Sequence, residues 1–188
     1  MAKTILCIRH GESTFNAMSS SDAIDPLHYD APLSDVGRKQ VERAREMLRE
    51  RAIDLVITTP LSRALQTTAG LFMDHPSAPP ILVERLHRER VENSCDVGRS
   101  PAMLSKEFPS FEFDHLPEIW WHANGTPDER GVCVEPIELV RSRAEEFKRF
   151  LLQRPERLIA VVGHGTFFLN LIGQALANCE IVEVTLEE

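Results

Sequence analysis

Four short apolar runs, at residues 4–8, 54–58, 80–83 and 157–162, are separated by stretches long enough to form helices. Each run meets a charged residue, proline or glycine within two residues of its end. Runs of this length and composition read as strands buried on both faces. Strands that alternate with helices build a mainly parallel sheet with helices on both sides. The expected fold class is therefore α/β, a three-layer α/β/α arrangement. At 188 residues the chain is sized for one domain.

The intervening helices carry their own signals. Ser34 stands as an N-cap before Val36, Gln40, Val41, Ala44, Met47 and Leu48 at helical spacing. Pro60 suits the first turn of a helix running to about Phe72. Pro136 opens a helix through Leu152, with Leu139, Val140, Ala144, Phe147, Phe150 and Leu151 turned inward. An apolar helix is expected from Gly165 to Ala177, followed by an alternating edge strand over 179–186. Residues 85–134 break the pattern with Pro101, Pro109, Pro117 and Pro127. They read as an inserted irregular lobe or lid with one short helix at 101–107. Trp120, Trp121 and His122 read as the core of that lobe.

Composition removes several functional classes. Twenty-one Lys+Arg against 29 Asp+Glu leave a net charge of −8, which argues against nucleic acid or an anionic membrane as partner. Cys7, Cys95, Cys133 and Cys179 form no C-x-x-C pair, so neither a zinc ribbon nor a thioredoxin-type site is expected. No secretory signal and no apolar run of membrane-spanning length occurs. A cytoplasmic protein with free thiols is the expectation. The oligomeric state is not readable.

Open α/β sheets bind ligands beyond the carboxyl ends of their strands. The first run ends in Arg9-His10-Gly11 and the second leads to Thr59-Pro60-Leu61-Ser62-Arg63. The third leads to Glu84 and Arg88-Glu89-Arg90, and the fourth to Gly163-His164-Gly165. Guanidinium groups match phosphate oxygens in pairs. Gly11 and Gly165 permit close backbone approach, and the helix at Gly165 aims its positive end at the same edge. A neutral imidazole can accept a phosphoryl group. The set asks for phosphate and offers a nucleophile.

Taken in order, four segments resemble the histidine phosphatase superfamily, the phosphoglycerate mutase-like family. They are Arg9-His10-Gly11-Glu12-Ser13 with Asn16, then Asp30 to Gln40, then Thr59 to Thr67, and Val162 to Phe167. The resemblance implies a phosphoglycerate mutase-like fold in which His10 becomes a phosphohistidine. It implies that Arg9 and Arg63 clamp the phosphate, that Asn16 contacts it, and that His164 donates to its oxygens. No metal and no cofactor is called for, because arginine and histidine supply the positive charge. For the proton donor, Glu89 followed by Arg90 fits the family's pattern best, with Glu84 and Glu92 as alternatives. The tyrosine-glycine of the mutase pattern is absent after Arg90.

The expected function is a metal-independent phosphomonoesterase acting on a small phosphorylated metabolite, with water resolving the intermediate. A cofactor-dependent phosphoglycerate mutase is the alternative, although such mutases are usually longer. A non-catalytic module that binds a phosphorylated ligand is a third reading. Arg88, Arg90 and Arg99 either hold a second anionic group of the substrate or pair with Glu84, Glu89, Glu92 and Asp96 in a solvated lobe.

Overall fold

The computed structural model describes residues 2–18 and 24–187. Five strands, β1 (Lys3–Arg9), β2 (Leu55–Thr58), β3 (Ile81–Val83), β4 (Leu158–Gly163) and β5 (Ile181–Leu186), form one sheet in the order β3-β2-β4-β1-β5. All pairs are parallel except β5 on β1. Six helices accompany them: α1 (Thr14–Met18), α2 (Asp35–Leu48), α3 (Ser62–Phe72), α4 (Pro101–Glu107), α5 (Ile137–Gln153) and α6 (Gly165–Ile172). Among the described residues no helix is long and apolar enough to cross a membrane.

Strand alternation sends neighbouring side chains to opposite layers. Ile5, Cys7, Ile57, Ile159 and Val161 pack against Val140, Ala144, Phe147 and Leu151 of α5 and Phe167 and Phe168 of α6. Leu6, Ile8, Val56, Ala160 and Val162 face Val41, Ala44 and Leu48 of α2 and Ala64, Leu71 and Phe72 of α3. The expected three layers are present.

Between β3 and α5 the chain is irregular except for α4 and a single 3-10 turn at Ser94–Asp96. Its apolar side chains Leu104, Phe111, Phe113, Leu116 and Trp120 gather over Leu61, which caps α3, and Leu65 of α3. Trp120 is buried and donates its indole N–H to the Arg99 carbonyl at 2.8 Å. Glu135 ties this segment to α5, accepting from Arg88 at 3.0 Å and from Arg143 at 2.8 Å.

Several expectations need correction. α6 stops at Ile172, not Ala177, because Gly173 takes the left-handed conformation (φ 73°) and caps it. Val36, Met47 and Leu139 are exposed. The buried stripe of α2 is instead Gly37, Val41, Ala44 and Leu48, a narrower face than the apolar positions alone suggest. In the α5 stripe, Arg143 is buried through its pairing with Glu135.

Gly37 explains why α2 matters to the site. A Cβ at Gly37 would lie 2.0 Å from the Glu12 carbonyl oxygen, so the helix presses directly on the loop leaving β1. Ser34 Oγ caps α2 by accepting from the Gly37 amide at 3.0 Å and donates to Glu12 at 2.6 Å. Gln40 Oε1 accepts from the Glu12 amide at 2.8 Å. The Ser34, Gly37 and Gln40 pattern thus fixes the backbone on which the next residues sit.

Candidate active site

Parallel pairing aligns Arg9 of β1 with Gly163 of β4, so the residues that follow, His10 and His164, leave the sheet side by side. The His10 amide donates to the Gly163 carbonyl at 3.0 Å, and the two imidazole rings lie 5.2 Å apart. From here β1 leads to α2 on one face and β4 to α6 on the other. A crevice opens at such a reversal.

His10 has its ring roles set by two contacts. Nδ1 lies 2.7 Å from the Gly11 carbonyl, which only accepts, so Nδ1 carries the hydrogen. Nε2 then holds a lone pair, and Arg63 Nε donates to it at 3.2 Å. Burial, together with the Arg63 and Arg9 cations, holds His10 well below the ordinary histidine pKa, although the Gly11 bond pulls the other way. The ring is a neutral imidazole with Nε2 available to an electrophile.

Arg63 sits in the first turn of α3, and Asp30 places that turn. Asp30 is buried and accepts from the Ser62 amide at 2.7 Å and the Ser62 hydroxyl at 2.6 Å. Arg63 itself is buried, donating from Nη1 to the Cys95 carbonyl at 2.7 Å and from Nη2 to Asp96 at 2.8 Å. Asp96 turns its other oxygen to the Asn93 amide at 3.0 Å. A guanidinium has five N–H bonds. Three are engaged, so one on each terminal nitrogen remains.

Arg9 donates from Nη1 to the Leu176 carbonyl at 2.7 Å, and its buried Nε has no partner. A Cβ at Gly165 would lie 3.4 Å from this guanidinium, so the start of α6 packs in ordinary contact with Arg9. Glu89 closes the far side. Its Oε2 accepts from the Thr166 amide at 3.0 Å and its Oε1 from Phe167 at 3.2 Å and Arg90 at 2.9 Å. The Thr166 and Phe167 amides are free ones at the start of α6. Burial and the nearby Asp96 nevertheless push the Glu89 carboxyl above its ordinary pKa.

A cleft of about 110 Å³ is lined by Arg9, His10, Ser13, Phe15, Asn16, Arg63, Glu89, Arg90, Glu92, Asn93, Cys95, Asp96 and Thr166. Of the residues singled out by sequence, His10, Glu89, Arg9, Asn16, Arg63 and Arg90 meet here. Gly165 lies behind, against Arg9, and His164 stands behind His10 with Nε2 2.7 Å from Thr59 Oγ1. Its Nδ1 is buried without a partner. Asn16 accepts from the Ser13 amide at 3.1 Å, which orients its amide group. Glu84 does not line the cleft; it accepts from the Leu86 amide at 3.0 Å. Glu92 is at the rim, paired with Arg90 at 2.9 Å.

Asp96 and the Cys95 carbonyl were not expected here. The available signal is local: Asn93 caps the turn at 94–96 and Asp96 returns the bond, a reciprocal pattern visible as Asn-x-x-Asp. Arg88 and Arg99 lie outside the cleft lining. Arg88 is held by Glu135, and Arg99 by Asp30 at 2.7 Å and Glu107 at 2.7 Å. Neither pairing was among those expected.

A phosphoglycerate mutase-like protein of Arabidopsis thaliana is 28% identical over 219 residues, spanning 94% of this chain and 76% of its own. A glucosyl-3-phosphoglycerate phosphatase of Mycolicibacterium vanbaalenii is 24% identical over 174 residues, spanning 93% of this chain and 74% of its own. In fold, the chain is similar to the solved alpha-ribazole phosphatase of Shigella flexneri, with a TM-score of 0.64 at 19% identity, over 96% of this chain and 89% of that one. The sequence model of the histidine phosphatase superfamily, branch 1, matches residues 5–184, and the chain belongs to that superfamily.

Proposed function

We propose that this chain hydrolyses a small phosphomonoester through a phosphohistidine on His10. The observation that carries the proposal is the state of His10: a buried neutral ring, Nδ1–H on the Gly11 carbonyl, and Nε2 beside Arg63. The names of relatives, a glucosyl-3-phosphoglycerate phosphatase and an alpha-ribazole phosphatase, support a small phosphorylated substrate.

In the first step the Nε2 lone pair attacks phosphorus and the ester P–O bond breaks. The departing oxygen takes the proton of Glu89. The ring becomes positively charged, and the Nδ1–H bond to the Gly11 carbonyl strengthens accordingly. Arg63, released from Nε2, turns its Nε–H and remaining terminal N–H bonds to the phosphoryl oxygens. Arg9 supplies a second cation. His164 has its unpartnered Nδ1 to offer, provided Thr59 donates its hydroxyl to Nε2. In the second step water attacks phosphorus, Glu89 takes a proton from it, and the P–N bond breaks to free inorganic phosphate. Phosphoryl transfer needs positioning and charge neutralisation above all, and fixed dipoles and cations provide both.

The direct test is rapid quenching during turnover of p-nitrophenyl phosphate. Wild-type protein should carry one phosphate that survives alkali and is released by acid. Turnover with no such species overturns the mechanism.

Two further outcomes follow from the same geometry. EDTA should leave turnover unchanged, since two arginines already face the phosphate and the described residues contain no cluster of three His, Cys, Asp or Glu able to hold a metal. Loss on chelation, restored by Mg²⁺ or Zn²⁺, would contradict this. Arg63→Ala should lower kcat/KM on the order of a hundredfold or more. Arg38→Ala, on the exposed face of α2, should change it less than about twofold. Comparable losses in the two variants would remove Arg63 from the phosphate clamp.

A further inference from the structure

The cleft lining holds three arginines, Arg9, Arg63 and Arg90, and three carboxylates, Glu89, Glu92 and Asp96. Arg63 is matched by Asp96 at 2.8 Å. Arg90 is matched by Glu92 at 2.9 Å and further held by the Glu135 carbonyl at 2.9 Å. The next arginines outward are spoken for as well. Arg88 shares Glu135 with Arg143, Arg99 belongs to Asp30 and Glu107, and Arg130 to Asp25 at 3.1 Å and Asp128 at 2.7 Å. Residues 1, 19–23 and 188, outside the described chain, include no Lys or Arg.

With Glu89 protonated the lining carries one net positive charge, so a phosphate dianion already exceeds it. Once Arg9 and Arg63 hold the phosphate and Glu92 holds Arg90, a second anionic group on the same substrate finds no further Lys or Arg in the cleft lining, and it faces Glu92 at the rim. Partly buried anions without a partner bind poorly, and like charges set close together are strongly disfavoured. What remains of the lining, Ser13, Phe15, Asn16, Asn93 and Thr166, offers hydroxyl, amide and aromatic surface. Such groups suit an uncharged alcohol.

We propose that this site selects phosphomonoesters with a single anionic group and an uncharged alcohol as leaving group, and that Glu92 enforces the choice by neutralising Arg90. The proposal rests on the phosphatase reading above. It separates this chain from a relative named for a phosphoglycerate ester, whose leaving group carries a carboxylate.

The test compares kcat/KM for glycerol 3-phosphate and 3-phosphoglycerate, which differ by a hydroxymethyl group against a carboxylate, with p-nitrophenyl phosphate assayed beside them. Wild type should favour glycerol 3-phosphate by about tenfold or more. Glu92→Gln, which releases Arg90, should narrow that ratio at least about threefold. Raising the salt concentration on wild type should narrow it too, because the repulsion is screened. Equal use or preference for 3-phosphoglycerate, with p-nitrophenyl phosphate turned over normally, overturns the selectivity and leaves the phosphatase reading intact. A wild-type preference that Glu92→Gln does not move overturns the role of Glu92. No turnover of any of the three, and no trapped phosphate, overturns the phosphatase reading itself.

Discussion

His10→Ala should lower kcat/KM for p-nitrophenyl phosphate by about 10⁴-fold or more, the scale at which loss of a covalent nucleophile is felt. The quench experiment on this variant should trap no protein-bound phosphate. Inorganic phosphate should still bind, since Arg9 and Arg63 are anchored independently of the ring by the Leu176 and Cys95 carbonyls. The pH dependence supplies a second check. The reacting form of His10 is neutral, and burial beside Arg63 displaces its protonation well below the ordinary histidine value. Wild-type turnover of the aryl ester should therefore persist below pH 6.5, where an unperturbed imidazole would already be protonated. An acid limb centred on the ordinary histidine value, or substantial turnover in His10→Ala, would remove His10 as nucleophile.

Glu89→Gln should divide substrates by their leaving groups. An alkoxide leaves poorly unless protonated, and a well-placed acid contributes ~10²–10⁴-fold. p-Nitrophenolate leaves readily without help. The variant should thus lose on the order of a hundredfold or more on glycerol 3-phosphate and far less on p-nitrophenyl phosphate, while the phosphohistidine still forms from the aryl ester. Glutamine keeps one acceptor oxygen, so one of the Thr166 and Phe167 amides loses its partner, and the aryl ester, which needs no acid, reports any loss from that change at the start of α6. Its pH signature has a definite sign. Burial and Asp96 raise the Glu89 pKa, with Arg63 opposing them, and an acid works only while protonated. Wild-type turnover of the alkyl ester should fall as pH rises through that raised value, and the variant should lack this fall. An unchanged alkyl-to-aryl ratio in Glu89→Gln, with collapse in Glu84→Gln, would make Glu84 the acid despite its place outside the cleft.

The sheet and most of the candidate residues that meet in the cleft were legible for one physical reason: they lie on regular elements or directly at their ends. Apolar runs of strand length, ended by Arg9-His10 and Gly163-His164, are brought together by parallel pairing alone. Ser34 signalled its helix because a cap needs an oxygen at that position. The irregular segment offers no such period. Asp96 reaches Arg63 across 33 positions of sequence, and Asp30 reaches Ser62 across 32. Neither separation has a local signature. The exposure of Met47 and Leu139 was hidden for the opposite reason, since an apolar residue on the edge of a helical stripe looks the same whether a neighbour covers it or not.

The register that sets His10 beside His164 also divides the molecule into a part that must be inherited and a part that is free to vary. The juxtaposition of His10 and His164 is stored in strand pairing, where slipping by one residue would send every strand side chain to the opposite layer. The cleft-lining residues Arg90, Glu92 and Asn93 are stored instead in the irregular stretch after β3, outside any ladder. Descendants of this chain could acquire new substrates by rewriting that stretch alone, with the chemistry carried along unchanged.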